Sequence, residues 1–265
     1  MSCRIGCFDW ASSFYDYTRA IPDELMNKIM KSFQENVKLT SKSRMLDIGI
    51  GTGRIAIPLA RKLHLTTVGI DISIKMLQKC LEKTTSCEEV QIINADALAL
   101  PFQERQFEII LMCHILHFLP NAYHFIESLR PLLVPHCYYI LLEAYVDYSR
   151  SIPYQIYYNK LKDLGYRKNQ KYHGISRRGI TVYLSKRGWK HDLHTSNATR
   201  IISTNDIVHF IRDRVFSSQR AIPEDLHRQS FGFLSQEIER RNINLSFKVK
   251  APATSYLTIF QQTKK

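Results

Sequence analysis

The 265-residue sequence predicts an α/β protein: a seven-stranded, mostly parallel sheet with helices on both faces and a helical insertion before the last two strands. Three observations predict it. Short apolar, β-branched runs alternate with helical patterns from residue 44 to residue 142. The first of these runs ends in Gly49-Ile50-Gly51-Thr52-Gly53, a glycine loop between a strand and a helix. After Glu143 the alternation stops, and residues 146–200 are polar, basic and rich in tyrosine.

Residues 22–37 read as the first helix. Pro22 suits a first helical turn, and Asp23 and Glu24 favour its positive end. Leu25, Ile29, Met30 and Phe33 then recur on one face. Arg44 to Ile48 is a strand ending at the glycines, and Arg54 to His64 is the helix that follows. Thr66 to Ile70 is the second strand. Ser73 is placed to cap a helix reaching roughly Glu82. Val90 to Ile93, Phe107 to Met112 and Cys137 to Leu142 complete five strands, with a helix at Asn121 to Leu129 between the last two. Helices are expected at about 153–164, 178–187, 204–213 and 224–240. Leu245 to Val249 and Ser255 to Phe260 read as a closing hairpin, with Pro252 in its turn.

Hydrophobic residues make up 45% and charged residues 23%, which excludes a disordered chain, a collagen and a coiled coil. No apolar run approaches the ~18 residues that span a bilayer. The most apolar stretch, Phe107 to Leu119, is interrupted by Glu108, His114 and His117. The first residues show no apolar signal core and the last show no prenylation box, so a cytoplasmic protein away from membranes is expected. Cysteines at 3, 7, 80, 87, 113 and 137 form no C-x-x-C pair and no zinc spacing, which favours free thiols and no metal.

The net charge of +13 is unevenly placed. Residues 1–143 carry 15 basic and 15 acidic side chains; residues 144–265 carry 22 and 9. Between 150 and 200 the count is 12 basic against 2 acidic, and 144–200 holds eight of the 14 tyrosines. Such a surface suits an anionic ligand or nucleic acid, and also a merely solvated lid.

The glycine loop lets the backbone approach a ligand closely, and Asp71, at the end of the next strand, can accept hydrogen bonds from both hydroxyls of a ribose. A dinucleotide fingerprint wants Gly or Ala where Arg54 stands. Met45-Leu46-Asp47-Ile48-Gly49-Ile50-Gly51-Thr52-Gly53 instead resembles the first motif of class I S-adenosylmethionine-dependent methyltransferases. VGIDIS (68–73) with Met76-Leu77, NADALALPF (94–102) and FEIILMCHILHFL (107–119) are similar to that family's next three motifs, in order, over about residues 44–144.

The resemblance implies a Rossmann-like core that binds S-adenosylmethionine. It implies that Asp47, Gly49, Gly51 and Gly53 line the methionine part and the ribose. Asp71 would hold the ribose diol, Ile72 would pack on the adenine, and Asp96 and the Ala97 N–H would meet its polar edge. Cys113 or His114 would face the cofactor from the fourth strand. Tyr15 and Arg19 are candidates to close on its methionine end, as similar Tyr/Arg segments do. His114 is the candidate general base, with His117 behind it. The family often has Gly-Gly before the fifth strand; Val134-Pro135-His136-Cys137 departs from that.

The implied layout is a cap and first helix (1–43), a cofactor-binding core (44–145), a basic helical acceptor insertion (146–243) and a hairpin (244–265). The implied reaction is in-line methyl transfer to O, N, S or activated carbon of a small molecule, anionic or aromatic. An RNA acceptor, tRNA among them, met by the basic insertion, and a non-catalytic cofactor-binding partner subunit are the alternatives. The motifs leave oligomeric state open.

Overall fold

The computed structural model describes residues 8–85, 87–119, 121–167 and 176–262. Cys3 and Cys7 therefore lie outside the described residues. The chain enters through a 3-10 turn at Asp9–Ala11, a short helix α1 (Tyr15–Thr18) and α2 (Asp23–Asn36). Alternation follows: β1 (Arg44–Ile48), α3 (Ala56–Leu63), β2 (Thr66–Asp71), α4 (Ile74–Thr84), β3 (Val90–Asn94), β4 (Phe107–Cys113), α5 (Ala122–Leu129) and β5 (Leu133–Val146). The cap predicted at Ser73 forms, and Asn121 caps the next helix in the same way. Ser73 accepts from Met76 N–H at the start of α4, and Asn121 from His124 N–H at the start of α5.

Among the described residues there follow α6 (Ile152–Asp163), α7 (Arg177–Ser185), β6 (Trp189–Ser203), α8 (Thr204–Arg212), α9 (Ser217–Arg220), α10 (Glu224–Arg240) and β7 (Lys248–Gln262). The sheet has seven strands in the order β3-β2-β1-β4-β5-β7-β6. The first five are parallel, and β7 runs antiparallel to both β5 and β6. The strand order reverses between β1 and β4, so a crevice opens at their carboxyl ends.

The layers follow the strands' period of two. Met45, Ile109, Leu111, Ile140 and Leu142 face α2, α3 and α4. Leu46, Ile110, Met112, Tyr139 and Leu141 face α5 and α7. A third apolar cluster joins α6, α8 and α10 through Tyr157, Leu161, Ile207, Phe210, Ile211 and Leu234.

Two expectations are corrected. Among the described residues the closing hairpin expected at 244–265 does not form: 244–262 supply one strand, β7, whose partner β6 lies inside the stretch expected to be a helical insertion (146–243). Helices α6 and α7 precede β6, and α8 to α10 fall between β6 and β7. Pro252, expected in a turn, sits within β7 opposite Thr199. The β5 ladder ends at the pair Val146–Ala253; Asp147 N–H still donates to the Pro252 carbonyl at 2.8 Å, and the missing N–H of Pro252 closes the pairing with β5 there. The second correction is the start of β5. It begins at Leu133, opposite Phe107, while Tyr138 pairs with Ile109. The residues between form a bulge with His136 at φ 64, a left-handed position where a glycine would be unstrained.

Candidate active site at the carboxyl edge of the sheet

After Ile48 the backbone turns through Gly49 (φ 76), Gly51 (φ 58) and Gly53 (φ 73). Gly49 and Ile50 both donate to the Ile70 carbonyl, each at 2.9 Å, which ties the loop to the end of β2. Gly51 N–H donates to Asp71 Oδ2 at 2.9 Å, and Ser73 N–H to Asp71 Oδ1 at 2.8 Å. The carboxylate is thus held in one orientation between two loops. Burial raises its pKa, against the lowering effect of those two N–H groups.

The glycines differ in what a side chain would meet. A Cβ on Gly49 would lie 2.5 Å from Ile115 Cδ1, and one on Gly53 2.5 Å from Ile57 Cδ1. A Cβ on Gly51 would meet only the Gly49 carbonyl, at 4.0 Å. Gly49 and Gly53 are therefore fixed by packing, whereas Gly51 borders open space in the crevice. Gly51→Ala is expected to fold with a cost of about 1–2 kcal/mol for its backbone strain. Its affinity for S-adenosylhomocysteine is expected to fall at least tenfold, because the methyl enters the cradle. Calorimetry and thermal melting read the two effects separately, and unchanged affinity would show that nothing is held there.

Asp47, at the end of β1, is 2% exposed, and among the described residues its Oδ1 has no hydrogen-bond partner. Burial first, then the neighbouring Asp71 charge, raise its pKa to about 8, and Arg54 opposes them. Arg54 also lowers the pKa of Cys113 and His114, so all four gather at the β1–β4 crevice. Burial nevertheless pushes the Cys113 thiol up to about 12. His114 has φ 54, and its Nε2 accepts the Ala144 N–H at 2.9 Å. Burial drives its pKa down to about 3. A ring with that lone pair engaged and so little basicity is a poor general base near neutrality; it joins the end of β4 to β5. The His117 ring lies against Phe118, tilted by 46°, and its pKa is likewise pushed down by burial.

The N-terminal segment lies across this edge as a strap. Asp9 Oδ1 accepts from Ser73 Oγ, Asp16 Oδ1 from Thr52 Oγ1, and Asp16 Oδ2 from Lys83 Nζ at 2.7 Å. Its other side meets the helices beyond β6. Arg19 Nη2 donates to the Val215 carbonyl at 3.0 Å and its guanidinium covers the Phe216 ring. Arg220 lies over Trp10 at 3.6 Å. Burial lowers the Arg19 pKa to about 10. Tyr15 is bracketed by Arg19 and Arg54, at 5.6 and 5.8 Å from its ring centroid.

Most of the residues singled out from the sequence therefore share one edge. Ile72 follows Asp71, and Asn94 Nδ2 donates to the carbonyls of both, at 2.9 and 3.2 Å. Asp96 and Ala97 lie in the next loop, where Asp96 Oδ1 accepts from Leu98 N–H in a local turn. Arg19 is turned toward the α8–α9 connection. Arg54 was read only as a mismatch to another fingerprint, yet it occupies the centre of the charged cluster. Its signal was an arginine directly after the third glycine.

A family profile described as "Methyltransferase domain" matches residues 45–136, about a third of the chain. A 27-O-demethylrifamycin SV methyltransferase from Amycolatopsis mediterranei is 26% identical over 125 residues, 46% of this chain and 46% of that protein. A demethylmenaquinone methyltransferase from Staphylococcus aureus is 28% identical over 140 residues, 52% of this chain and 58% of that protein. The chain thus spans about half the length of these curated relatives. Among solved structures, Haemonchus contortus phosphoethanolamine N-methyltransferase 2, in complex with phosphomonomethylethanolamine and S-adenosylhomocysteine, matches with a TM-score of 0.54 at 14% identity. That match covers 97% of this chain and 58% of the other. Residues 45–136, which hold the glycine loop and its acidic partners, thus match a methyltransferase domain, and the fold is shared with a solved methyltransferase structure.

Proposed function

We propose that the protein transfers a methyl group from S-adenosylmethionine to a small-molecule acceptor. The carrying observation is the open Gly51 cradle beside an Asp71 carboxylate whose orientation two backbone N–H groups hold. The residues fit the cofactor on a second count. The unpartnered, buried Asp47 Oδ1 suits the cationic methionine end, and Arg54 its carboxylate. Asp71 would accept from the ribose hydroxyls, and Ile72 would pack on the adenine, with Asp96 and the Ala97 N–H at its polar edge. S-adenosylmethionine supplies an activated methyl group on a sulfonium. The chain's own task is alignment and exclusion of water, which the strap and the neutral Cys113 and His114 serve.

The two curated relatives are named for small-molecule acceptors, which supports that class. The basic insertion supports RNA less than its count suggests. Arg177 faces Glu143, Arg187 pairs with Glu127, Lys160 covers the Phe233 ring and Arg200 is buried. Calorimetry with S-adenosylmethionine and S-adenosylhomocysteine tests the reading; micromolar binding supports it, and no binding of either ends it. A tRNA signal that weakens steeply with salt would favour the RNA acceptor.

Asp47 makes a pH-dependent prediction. With a pKa raised to about 8, it is mostly protonated at pH 7 in the free protein. A cation placed beside it favours the carboxylate, so binding of S-adenosylmethionine at pH 7 is expected to release up to about one proton. The binding enthalpy should then differ between phosphate and Tris buffers, and Asp47→Asn should remove the difference. Buffer-independent heats in the wild type would count against this role.

A further inference from the structure

We propose that Glu143, Arg177 and Tyr256 form the acceptor subsite, and that it takes an acceptor bearing a carboxylate or phosphate, which Arg177 binds in place of Glu143. The proposal rests on the methyltransferase reading above. Cys113, the last residue of β4, pairs with Leu142 on β5. The next β5 residue, Glu143, pairs with Tyr256 on β7. Glu143 thus stands one step beyond the end of β4, beside the residues gathered around Arg54. Its charge is among those that raise the pKa of the Cys113 thiol, together with that of Asp47. By the strand's alternation Glu143 shares the face of Tyr139 and Leu141, against which α7 packs. Arg177 is the first residue of α7.

The contact between them is loose. Arg177 Nε and Glu143 Oε2 are 3.5 Å apart, with the side chains 27% and 32% exposed. Among the described residues this buried Nε has no hydrogen-bond partner. Optimised guanidinium–carboxylate pairs close to about 2.7–2.9 Å, frequently with two parallel bonds. A buried donor left unsatisfied beside a misaligned carboxylate is the geometry of a placeholder. An incoming oxyanion can satisfy Nε and use the planar fork, which Glu143 does not. Aromatic rings line the same place. The Arg177 guanidinium lies 4.7 Å from the Tyr256 ring centroid, and the rings of His114 and Tyr145 are 5.0 Å apart. An aromatic acceptor with an anionic substituent matches both features.

The test uses benzoate and phenyl phosphate as probes. Each is titrated by calorimetry into the full chain, with and without saturating S-adenosylhomocysteine. Saturable binding of at least one probe to the wild type is expected, and the preferred probe tells carboxylate from phosphate. Arg177→Gln should weaken that binding at least tenfold while S-adenosylhomocysteine affinity stays within twofold. Glu143→Gln should tighten it about threefold or more, because the internal competitor loses its charge. A purely structural ion pair gives no such opposite signs. Absence of probe binding, equal affinity in Arg177→Gln, or weaker binding in Glu143→Gln overturns the proposal. Failure of S-adenosylhomocysteine to bind the wild type is a separate result, which ends the methyltransferase reading and this proposal with it.

Discussion

Asp71→Ala is expected to weaken S-adenosylhomocysteine binding about 100-fold and to leave the protein folded. A carboxylate that accepts from both ribose hydroxyls makes two charge-assisted hydrogen bonds, each worth about 1.5–3 kcal/mol. Water recovers part of that, and a net loss of about 3 kcal/mol is roughly 100-fold in affinity. The structure adds orientation. Gly51 and Ser73 hold the carboxylate in place, so little ordering is left to occur on binding. The folded state should tolerate the change. Burial raises the Asp71 pKa above its unfolded value. The stability linked to that raised pKa is fully present below the unfolded pKa and lost as pH rises through the folded one. Once pH has risen through the folded value, the ionised group therefore burdens the free protein, and its removal should not unfold it. Calorimetry of wild type and Asp71→Ala, with thermal melting alongside, decides the matter. An affinity within threefold of the wild type would mean that Asp71 does not hold the ribose.

Arg200→Ala is expected to destabilise the fold by about 3 kcal/mol, lowering Tm by roughly 5–10 °C. Arg200 sits on β6 and is 9% exposed. Its Nη2 donates to the Tyr17 carbonyl at 2.6 Å, and its Nη1 to Tyr148 Oη at 2.7 Å and to the Thr18 carbonyl at 3.3 Å. One side chain thus joins the end of the strap, the segment after β5 and the edge strand. Truncation leaves three acceptors without their donor in a place that water reaches poorly. Arg200→Lys should recover little, because an ammonium lacks the planar fork. A loosened strap should also reduce cofactor affinity several-fold. A change in Tm below 2 °C would show that the N-terminal segment is held mainly by its contacts with Thr52, Ser73 and Lys83.

The edge proposed to hold the cofactor was legible because its determinants are local. The Gly49–Gly53 loop, the acid at the end of β2 and the Ser73 cap each lie within a few residues of the structure they specify. The parallel strands β1, β2, β4 and β5 were legible for the same reason: strands buried on both faces read as continuous apolar runs, whereas β3 is an edge strand in which only Val90 is buried. β6 was not legible. Its sequence, WKHDLHTSNATRIIS, has few buried positions, and it is an edge strand defined by its ladder with β7. The hairpin expected at 244–265 followed from treating Pro252 as a turn, although a proline is tolerated in a strand at the point where a ladder ends, as the β5 ladder does here. His114 drew attention as an ionisable group near neutrality, but the Ala144 N–H and its burial come from the neighbouring strand.

The sequence by itself therefore determined the first half of the sheet: which strands are central, where the chain turns tightly and which carboxylates stand at the strand ends. Those features depend on backbone conformation and on side chains close in sequence. Tertiary structure alone decided what surrounds them. It took Arg19 toward Val215, brought Arg54 to Asp47 and Cys113, buried Arg200 under the strap and set Arg177 against Glu143. Each of these depends on strands and helices far apart in the chain meeting at one edge, and burial and pairing, which set charge and basicity, exist only after they meet.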